Sequence, residues 1–421
     1  MNNIHSVLSI IDMSFSAVIQ ILSSLTNNIV DTLKYWVEKK RINPNLSTID
    51  GHKHQFVLIA SLILISMITV IGGAKQAIGA TIPVVTTPVK WHPGHYYAIM
   101  DHGKNSPAYL SQVYSELQQT PALRGIQIRY SWRELEGEEG EYDFSSIAKR
   151  LSELSAMNKR LVIVIETKSS LGNFSKDGER TVPIYLGTTK SEGGEFACGG
   201  PDHLGWNIKL WNPFVRDRMI ALVRALGQRF NSNPYFEGIG LSETAINDPI
   251  QPLTAIQKNN YYANLLSVQK QMRNSFPNTL TFQFISYPRS IMESFTKSLN
   301  EMGAGLGGPD VHPENFIPFL PIYPPDVPSY FRKYSEIMPI VLSVRQSNYE
   351  NNRADYTGYE PSVYELLSHA RDYLKANYIF WTRHPDYYRN VLEMMNMNAQ
   401  KSKPTGGLNP ICPSVYSSCV N

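Results

Sequence analysis

The sequence is short of cysteine and of net charge, and each shortage excludes a class of protein. Three cysteines in 421 residues cannot form the framework of a disulfide-stabilised fold. The metal-binding spacings CxxC and HExxH are absent, so we expect neither a metal site nor another cofactor. A formal net charge of +3 is too near neutral to indicate a nucleic-acid partner.

The rest of the composition is that of a globular protein with one large domain and extensions. Hydrophobic residues make up 42% of the chain and aromatic residues 11%, with 24 Tyr and 6 Trp. Such aromatic content suits stacking on sugars as well as packing in a large core. Cys412 and Cys419 lie close together in a Gly/Pro/Ser-rich tail and could pair in an oxidising compartment.

One uncharged apolar run lies near the N-terminus. Residues 55–74 include FVLIASLILISMITVIGGA, which is about 19 residues and long enough to cross a bilayer. Basic residues at 39–41 and 53 precede this run, and only Lys75 follows it closely, so residues 1–54 are predicted to be cytoplasmic and the remainder extracytoplasmic. Two interpretations remain open. The run is an uncleaved transmembrane anchor, or it is a signal peptide behind a long leader.

After a polar linker, residues 75–91, strand-like and helix-like segments alternate over residues 92–397, and residues 398–421 form a tail. The predicted strands are 95–100, 125–130, 160–165, 236–241, 280–285, 303–308, 339–344 and 378–381. The predicted helices begin at Ser106-Pro107 and then occupy 142–157, 212–230, 254–276, 290–302, 361–376 and 385–397.

Eight alternating strands and helices favour an α/β fold of the (β/α)₈ TIM-barrel type. The competing architecture is a doubly wound sheet, which would normally carry a glycine-rich phosphate loop after its first strand. Here the first strand runs into DHGKN at 101–105, which matches neither GxGxxG nor GxxxxGK[ST].

Several motifs in the barrel region carry a resemblance to a known family. They are YSWRELE at 130–136, EGEYDF at 139–144, KRLVI at 159–163, VPIYL at 182–186, WNP at 211–213 and IFW at 379–381. Together they resemble the retaining (β/α)₈-barrel glycoside hydrolases, the clan of β-galactosidases, cellulases and mannanases. The resemblance implies a carbohydrate substrate and two carboxylates, one after the fourth strand and one after the seventh.

The fourth strand ends in FEGIGLSE at 236–243, and Glu243 matches the acid/base position of that family. The resemblance implies that Glu243 protonates the departing glycosidic oxygen and then deprotonates the incoming water. The family usually has Asn directly before this Glu, where it holds the sugar 2-hydroxyl. Here that position is Ser242, which we expect to bind substrate through its hydroxyl.

The seventh strand departs from the family pattern. It reads IVLSVRQSNYE from 340 to 350, and the position of the nucleophilic carboxylate holds Gln346. An amide cannot form a glycosyl ester, so we expect Gln346 to bind substrate only. Three explanations remain open. Glu350 folds back to the site, another carboxylate such as Asp310, Glu166 or Asp101 serves, or the barrel binds a glycan without cleaving it.

Four further residues are expected to bind substrate because they end or follow strands. Arg129 ends the second strand, where the resemblance implies an Arg that orients the nucleophile; the alternative is a structural ion pair. Trp132 and Trp381 are candidate stacking platforms for pyranose rings; the alternative is loop packing for Trp132 and core packing for Trp381. Tyr287 follows the fifth strand and is equally compatible with core packing.

Two classes of function follow. The first is a glycoside hydrolase, membrane-anchored or secreted, that acts on an extracytoplasmic polysaccharide or oligosaccharide. The second is a non-catalytic glycan-binding barrel at the cell envelope. A weaker alternative is an unrelated TIM-barrel hydrolase that uses Asp310 and His312.

Overall fold

The predicted TIM barrel is present. A computed structural model describes residues 87–99, 103–169, 180–200, 203–313, 327–350 and 360–421, and all of them belong to one compact unit, Thr81–Asn421. The predicted leader at 1–54 and the apolar segment at 55–74 lie outside the described residues. Within the described ranges, no helix combines the length and apolarity needed to cross a membrane.

Eight parallel strands form a closed barrel in chain order, with the last strand paired to the first. Both ends of each strand lie within two residues of the positions that the sequence predicts. The strands are β1 Gly94–Ile99, β2 Leu123–Ser131, β3 Arg160–Glu166, β4 Phe236–Leu241, β5 Leu280–Phe284, β6 Gly305–Gly308, β7 Ile340–Val344 and β8 Tyr378–Thr382.

Helices surround the barrel, and two of the longer ones begin at the predicted caps. The Ser106 side chain accepts a hydrogen bond from the Tyr109 amide, and Asn212 accepts from the amides of Phe214 and Val215. The helices are α1 Pro107–Gln119, α2 Trp132–Leu135, α3 Ser145–Ser155, α4 Pro213–Phe230, α5 Ala255–Ser275, α6 Arg289–Met302, α7 Val327–Tyr334, α8 Gln346–Tyr349, α9 Val363–Ser368, α10 Tyr388–Asn396 and α11 Asn398–Lys401.

The elements that the sequence does not predict include a hairpin and several short helices. An antiparallel hairpin, Glu195–Gly200 with His203–Ile208, follows β3 in the glycine-rich segment. Helix α7 follows β6, and the short helix α8 begins directly after β7. The hairpin and α8 lie in connections that leave the mouth, which is the end of the barrel where the strands finish, so they affect how that end is built.

The strands alternate between two apolar layers. One layer fills the barrel and includes Tyr96, Val164, Phe282 and Phe380. The other lies between the barrel and the helices and includes the intervening strand residues, such as Ile163. This alternation determines which side chains at the strand ends point into the mouth and which point toward the helices.

The opposite end of the barrel is closed by the segments before β1 and after α11. Val89–Lys90 pairs in parallel with Cys419–Val420, and Cys412 and Cys419 form a disulfide. Trp91 packs edge-on against Tyr378 and Tyr416 and donates a hydrogen bond to the Pro410 carbonyl. The tail is therefore part of the barrel domain's packing.

Candidate functional site

Glu243 lies at the mouth, two residues after β4, and both of its carboxylate oxygens are engaged. Oε2 lies 3.0 Å from the Lys168 ammonium, and Oε1 contacts the Arg345 guanidinium. Only about 10% of the Glu243 side chain is exposed. Because Lys168 follows β3 and Arg345 follows β7, the contacts join three strand ends across the barrel.

Arg345, and not Gln346, occupies the mouth-facing position at the end of β7. Leu342 and Val344 belong to the layer under the helices, whereas Val341 lies inside the barrel, so the alternation directs residue 345 inward. Gln346 is exposed and donates a 2.7 Å hydrogen bond to Glu350 one turn along α8.

That Gln346 stands in the position of the nucleophile stays a prediction, while Arg345 is the residue at the end of β7 that contacts Glu243. Helix α8 begins at Gln346, directly after Arg345. Glu350 is engaged with Gln346 on the same helix, so the explanation in which Glu350 folds back to the site has no support from this geometry.

Arg129 and Glu166 form a second contact at the same end of the barrel. The Arg129 guanidinium lies 3.5 Å from Glu166 Oε1, and both side chains are largely buried. Arg129 also lies 6.0 Å from the centre of the Phe284 ring, which belongs to the barrel interior. Both residues therefore face inward, as the sequence predicts from their places at the ends of β2 and β3.

Lys168 connects the ends of β3 and β4. Its ammonium donates hydrogen bonds to the carbonyl oxygens of Ala245, at 2.9 Å, and Glu243, at 3.3 Å, in addition to its ion pair. Burial lowers the pKa of Lys168 to about 7, with the nearby charges of Arg345 and Arg129 acting in the same direction. An amine in this range changes its charge near neutral pH.

We call the five residues Arg129, Glu166, Lys168, Glu243 and Arg345 the mouth cluster. Burial lowers the pKa of Arg345, and the charge of Arg129 acts in the same direction while Glu166 opposes it. The two ion pairs are therefore electrostatically coupled. The cluster contains three cationic and two acidic groups within one largely buried site.

Asp310 lies beside the mouth cluster in a separate hydrogen-bonding group. Its carboxylate accepts a 3.3 Å hydrogen bond from the Asn348 side-chain amide, which also contacts the His312 ring. The Asn348 carbonyl oxygen accepts from the Arg345 amide at 2.7 Å. Asn348 thus fixes the backbone at Arg345 and joins the ends of β6 and β7. Asp101, the other candidate carboxylate, lies outside the described residues.

The two predicted tryptophan platforms do not face the mouth. Trp381 is fully buried in the layer between barrel and helices, and its indole donates to His95 at 3.0 Å. Trp132 is also fully buried and donates to Glu136 at 2.7 Å. Both side chains have the core-packing role, because neither has exposed area on which a sugar ring could stack.

Ser242 and Tyr287 differ in what they offer a ligand. Ser242 is buried, and its hydroxyl accepts a 3.3 Å hydrogen bond from the Thr167 amide, so it holds the ends of β3 and β4 together. Tyr287 is half-buried, and burial raises the pKa of its hydroxyl. Of the two, only Tyr287 has a side chain that solvent reaches appreciably.

Lys168 and Arg345 are the two residues of the mouth cluster that are not predicted from the sequence. A signal for Arg345 exists in β7, since the apolar residues 340, 342 and 344 alternate with 341, 343 and 345. Lys168 offers no such signal. It lies beyond the end of β3, and it is held by carbonyl groups of the loop after β4 and by a bridge to Asn207 of the hairpin.

Comparison with known proteins gives similarity in structure alone. The sequence matches no model of a known protein family and no curated protein. Among solved structures, the chain is similar to the catalytic domain of a β-amylase from Paenibacillus polymyxa, at 9% identity and a TM-score of 0.49 over 72% of this chain and 98% of the other.

Two further structures are similar over comparable lengths. A β-galactosidase from Rahnella sp. R3 has 12% identity and a TM-score of 0.49 over 77% of this chain and 58% of its own. Endo-glycoceramidase II from Rhodococcus sp. has 12% identity and a TM-score of 0.44 over 71% and 76%. All three are glycoside hydrolase TIM barrels, the family that the sequence resembles. The likeness is one of fold.

Proposed function

We propose that this chain is a glycoside hydrolase-like barrel that binds a saccharide at its mouth without cleaving it. The observation that supports binding without cleavage is the contact between Arg345 and Glu243. The family resemblance implies a nucleophilic carboxylate after the seventh strand, whereas the residue there that contacts Glu243 is Arg345, and a guanidinium cannot form a glycosyl ester.

The engagement of Glu243 supports the same proposal. A general acid must lie within hydrogen-bond reach of the oxygen that it protonates. One Glu243 oxygen is held by Arg345 and the other by Lys168, so neither is available to a leaving group while both ion pairs are closed. Charged hydrogen-bonding groups in a barrel mouth instead suit the dense hydroxyl groups of a saccharide.

A second candidate is hydrolysis with Glu243 as acid/base and Glu166 as the other carboxylate. It is favoured by the contact between Arg129 and Glu166, since the family resemblance implies an Arg that orients the nucleophile. In this candidate an entering saccharide would displace Arg345 from Glu243. The stereochemical outcome would depend on the separation of the two carboxylates, about 5–5.5 Å for retention and about 6.5–9.5 Å for inversion.

One experiment separates the two candidates. The full-length protein is screened against a polysaccharide and oligosaccharide panel for binding and, in parallel, for release of reducing ends. We expect saturable binding without turnover. Turnover that falls by about 10²–10⁴-fold in Glu243→Gln, but not in the exposed control Glu301→Gln, would establish hydrolysis instead. Absence of both binding and turnover across the panel would reject a carbohydrate function.

We also propose that the barrel lies outside the cytoplasm, anchored or secreted through residues 55–74. The charge asymmetry around that segment supports this orientation, and the Cys412–Cys419 disulfide suits an oxidising compartment. A reporter that is active only outside the cytoplasm, fused after Asn421, should therefore be active. Activity of a cytoplasm-specific reporter at the same position would reject the proposal.

A further inference from the structure

We infer that the saccharide taken by the mouth cluster is acidic and that its anionic substituent binds at Arg345 and Lys168. The substituent is a uronate carboxylate or a sulfate ester, which share the acceptor chemistry that these two cations recognise. The inference rests on the proposed function, since it names the class of ligand for the same site.

The charge of the mouth cluster is the first argument. Below about pH 7, where Lys168 carries its charge, Arg129, Lys168 and Arg345 outnumber the two carboxylates of the cluster, Glu166 and Glu243. Exposed fractions of the five side chains run from about 10% to 34%, so the excess positive charge is largely removed from water. A buried charge without a full complement is costly, and a bound anion would offset that cost.

The accessibility of Arg345 is the second argument. Its side chain is 34% exposed, compared with 11% for Arg129 and 12% for Lys168, so it is the cation of the cluster that an entering ligand reaches most readily. A guanidinium carries five donors in a planar fork that matches carboxylate and sulfate oxygens. The contact with Glu243 uses only some of these donors, so the Arg345 guanidinium can bind a second acceptor at the same time.

Preorganisation is the third argument. The Lys168 ammonium is held by the carbonyls of Ala245 and Glu243 as well as by the Glu243 carboxylate. The backbone at Arg345 is held by Asn348 through a 2.7 Å hydrogen bond. The Lys168 ammonium and the Arg345 backbone therefore keep their places if the Glu243 carboxylate swings aside, so less ordering is required when an anion binds.

The test compares each acidic oligosaccharide with its carboxyl-reduced counterpart, which has the same linkage and length but no charge. Binding to the full-length protein is measured by calorimetry, with sulfated oligosaccharides and inorganic sulfate as further arms. We expect the acidic member of one pair to bind at least about tenfold more tightly than its neutral counterpart. The preference should weaken as salt rises.

Variants assign the preference to the two cations. Arg345→Gln and Lys168→Gln should each reduce the acid preference about tenfold, whereas Arg345→Lys should retain part of it because the charge remains. The control Lys297→Gln removes the same charge from an exposed helical pair and should leave the preference unchanged. Circular dichroism confirms that each variant is folded.

The outcomes separate the inference from the proposed function. If the acidic oligosaccharide and its carboxyl-reduced counterpart bind equally tightly, the inference is overturned, whereas the proposal that the mouth binds a saccharide is not. Inorganic sulfate that binds as tightly as any saccharide overturns both, because the site would then recognise an anion alone. Preference for sulfated over uronate ligands, lost in Arg345→Gln, supports the inference and identifies the substituent. A preference that survives Arg345→Gln and Lys168→Gln overturns the assignment to this cluster.

Discussion

Arg345 and Gln346 are neighbours in sequence, and only Arg345 faces the barrel mouth. The difference follows from the alternation of β7, where Val344 packs under the helices. The sequence indicates which face of β7 points inward, because Ser343 lies between the apolar residues Leu342 and Val344. The sequence of β8 does not indicate its inward face, because Phe380 and Trp381 are both apolar. Only the folded structure shows that Trp381 faces the helices and Phe380 faces the barrel interior.

The lowered pKa of Lys168 predicts a pH dependence for binding of an acidic ligand. Its folded pKa is about 7, below the usual value, so the charge is present at lower pH and lost as pH rises through about 7. Affinity should therefore fall above that value by about tenfold in all, the same loss that is expected from Lys168→Gln. In Lys168→Arg the cation persists, and affinity measured from roughly pH 6 to roughly pH 8 should change little.

The Lys168→Arg variant separates the titration of Lys168 from that of the groups around it. The Cys198 thiol has its pKa raised to about 11 by burial, and the pKa of Arg345, although lowered to about 9, lies above the window. Arg129, Glu166 and Glu243 are the remaining charged groups of the cluster, and they are unchanged in Lys168→Arg. An identical fall in affinity in wild type and Lys168→Arg would contradict the assignment to Lys168.

Glu237, at the closed end of the barrel, is predicted to be a stabilising buried charge. It lies at the register shift between β3 and β4, where it accepts hydrogen bonds from the His92 amide at 2.8 Å and from Tyr378 at 2.7 Å. Burial raises its pKa, but the His92 ring and these donors outweigh burial and leave the pKa of Glu237 lowered. Glu237→Gln should cost about 1.5–3 kcal/mol of unfolding free energy in urea titration.

The sign of the pH effect follows from that lowered pKa. The stabilisation by Glu237 is present above the unfolded-state pKa of about 4.3 and is lost as pH falls through the folded-state pKa. The gap in stability between wild type and Glu237→Gln should thus narrow in acid. Glu301→Gln, on an exposed helix surface, should differ from wild type by less than about 0.5 kcal/mol. A comparable loss in both variants would contradict a specific role for Glu237.

At the scale of elements, regular segments are predicted well and irregular connections are not. Strands such as β3, with its run of Val and Ile, and helices such as α4, with its Asn-Pro start, carry their signal locally. The Glu195–Ile208 hairpin has glycine-rich strands with weak local preference, and its formation depends on contacts such as that of Asn207 with Lys168 and Ile246.

The close contact between α4 and α5 predicts that a glycine-to-alanine change in α4 destabilises the protein, although helix propensity alone would favour alanine. Gly227 lies within α4, and a Cβ atom there would lie 2.5 Å from the Ser275 carbonyl oxygen at the end of α5. Alanine is favoured over glycine in a helix by about 1 kcal/mol. Here we expect Gly227→Ala to destabilise the protein by about 1–3 kcal/mol instead, because the clash is with backbone.

A matched control distinguishes this packing effect from a general response to alanine. A Cβ atom added at Gly137 would meet no other atom within 4 Å, and Gly137 does not adopt a positive φ. Gly137→Ala should leave the thermal unfolding midpoint unchanged or slightly raised. If Gly227→Ala also raised the midpoint, the close approach of α4 to α5 would not be real.

At the scale of the whole molecule, the fold was predictable because its eight units repeat, whereas the site was not fully predictable because it is assembled across the barrel. Glu243, Arg129 and Glu166 follow from their places at strand ends. Their partners do not: the contact of Arg345 with Glu243 joins positions about a hundred residues apart. Only closure of the barrel brings those strand ends together.

The closed end of the barrel gives a prediction for the molecule as a whole. Cys412 and Cys419 are linked across a separation of 7 residues, and Cys419 pairs with Val89, so the disulfide secures the tail over the strand starts. A loop of this size contributes about 2–3 kcal/mol in the chain-entropy model. Replacing both cysteines with serine should therefore lower the urea midpoint.

Reductant provides the control for this prediction. It should lower the wild-type midpoint in the same way and leave the double variant, which retains the buried Cys198, unaffected. A wild-type midpoint that does not respond to reductant would show that the tail is held by packing of Trp91 and Tyr416 alone.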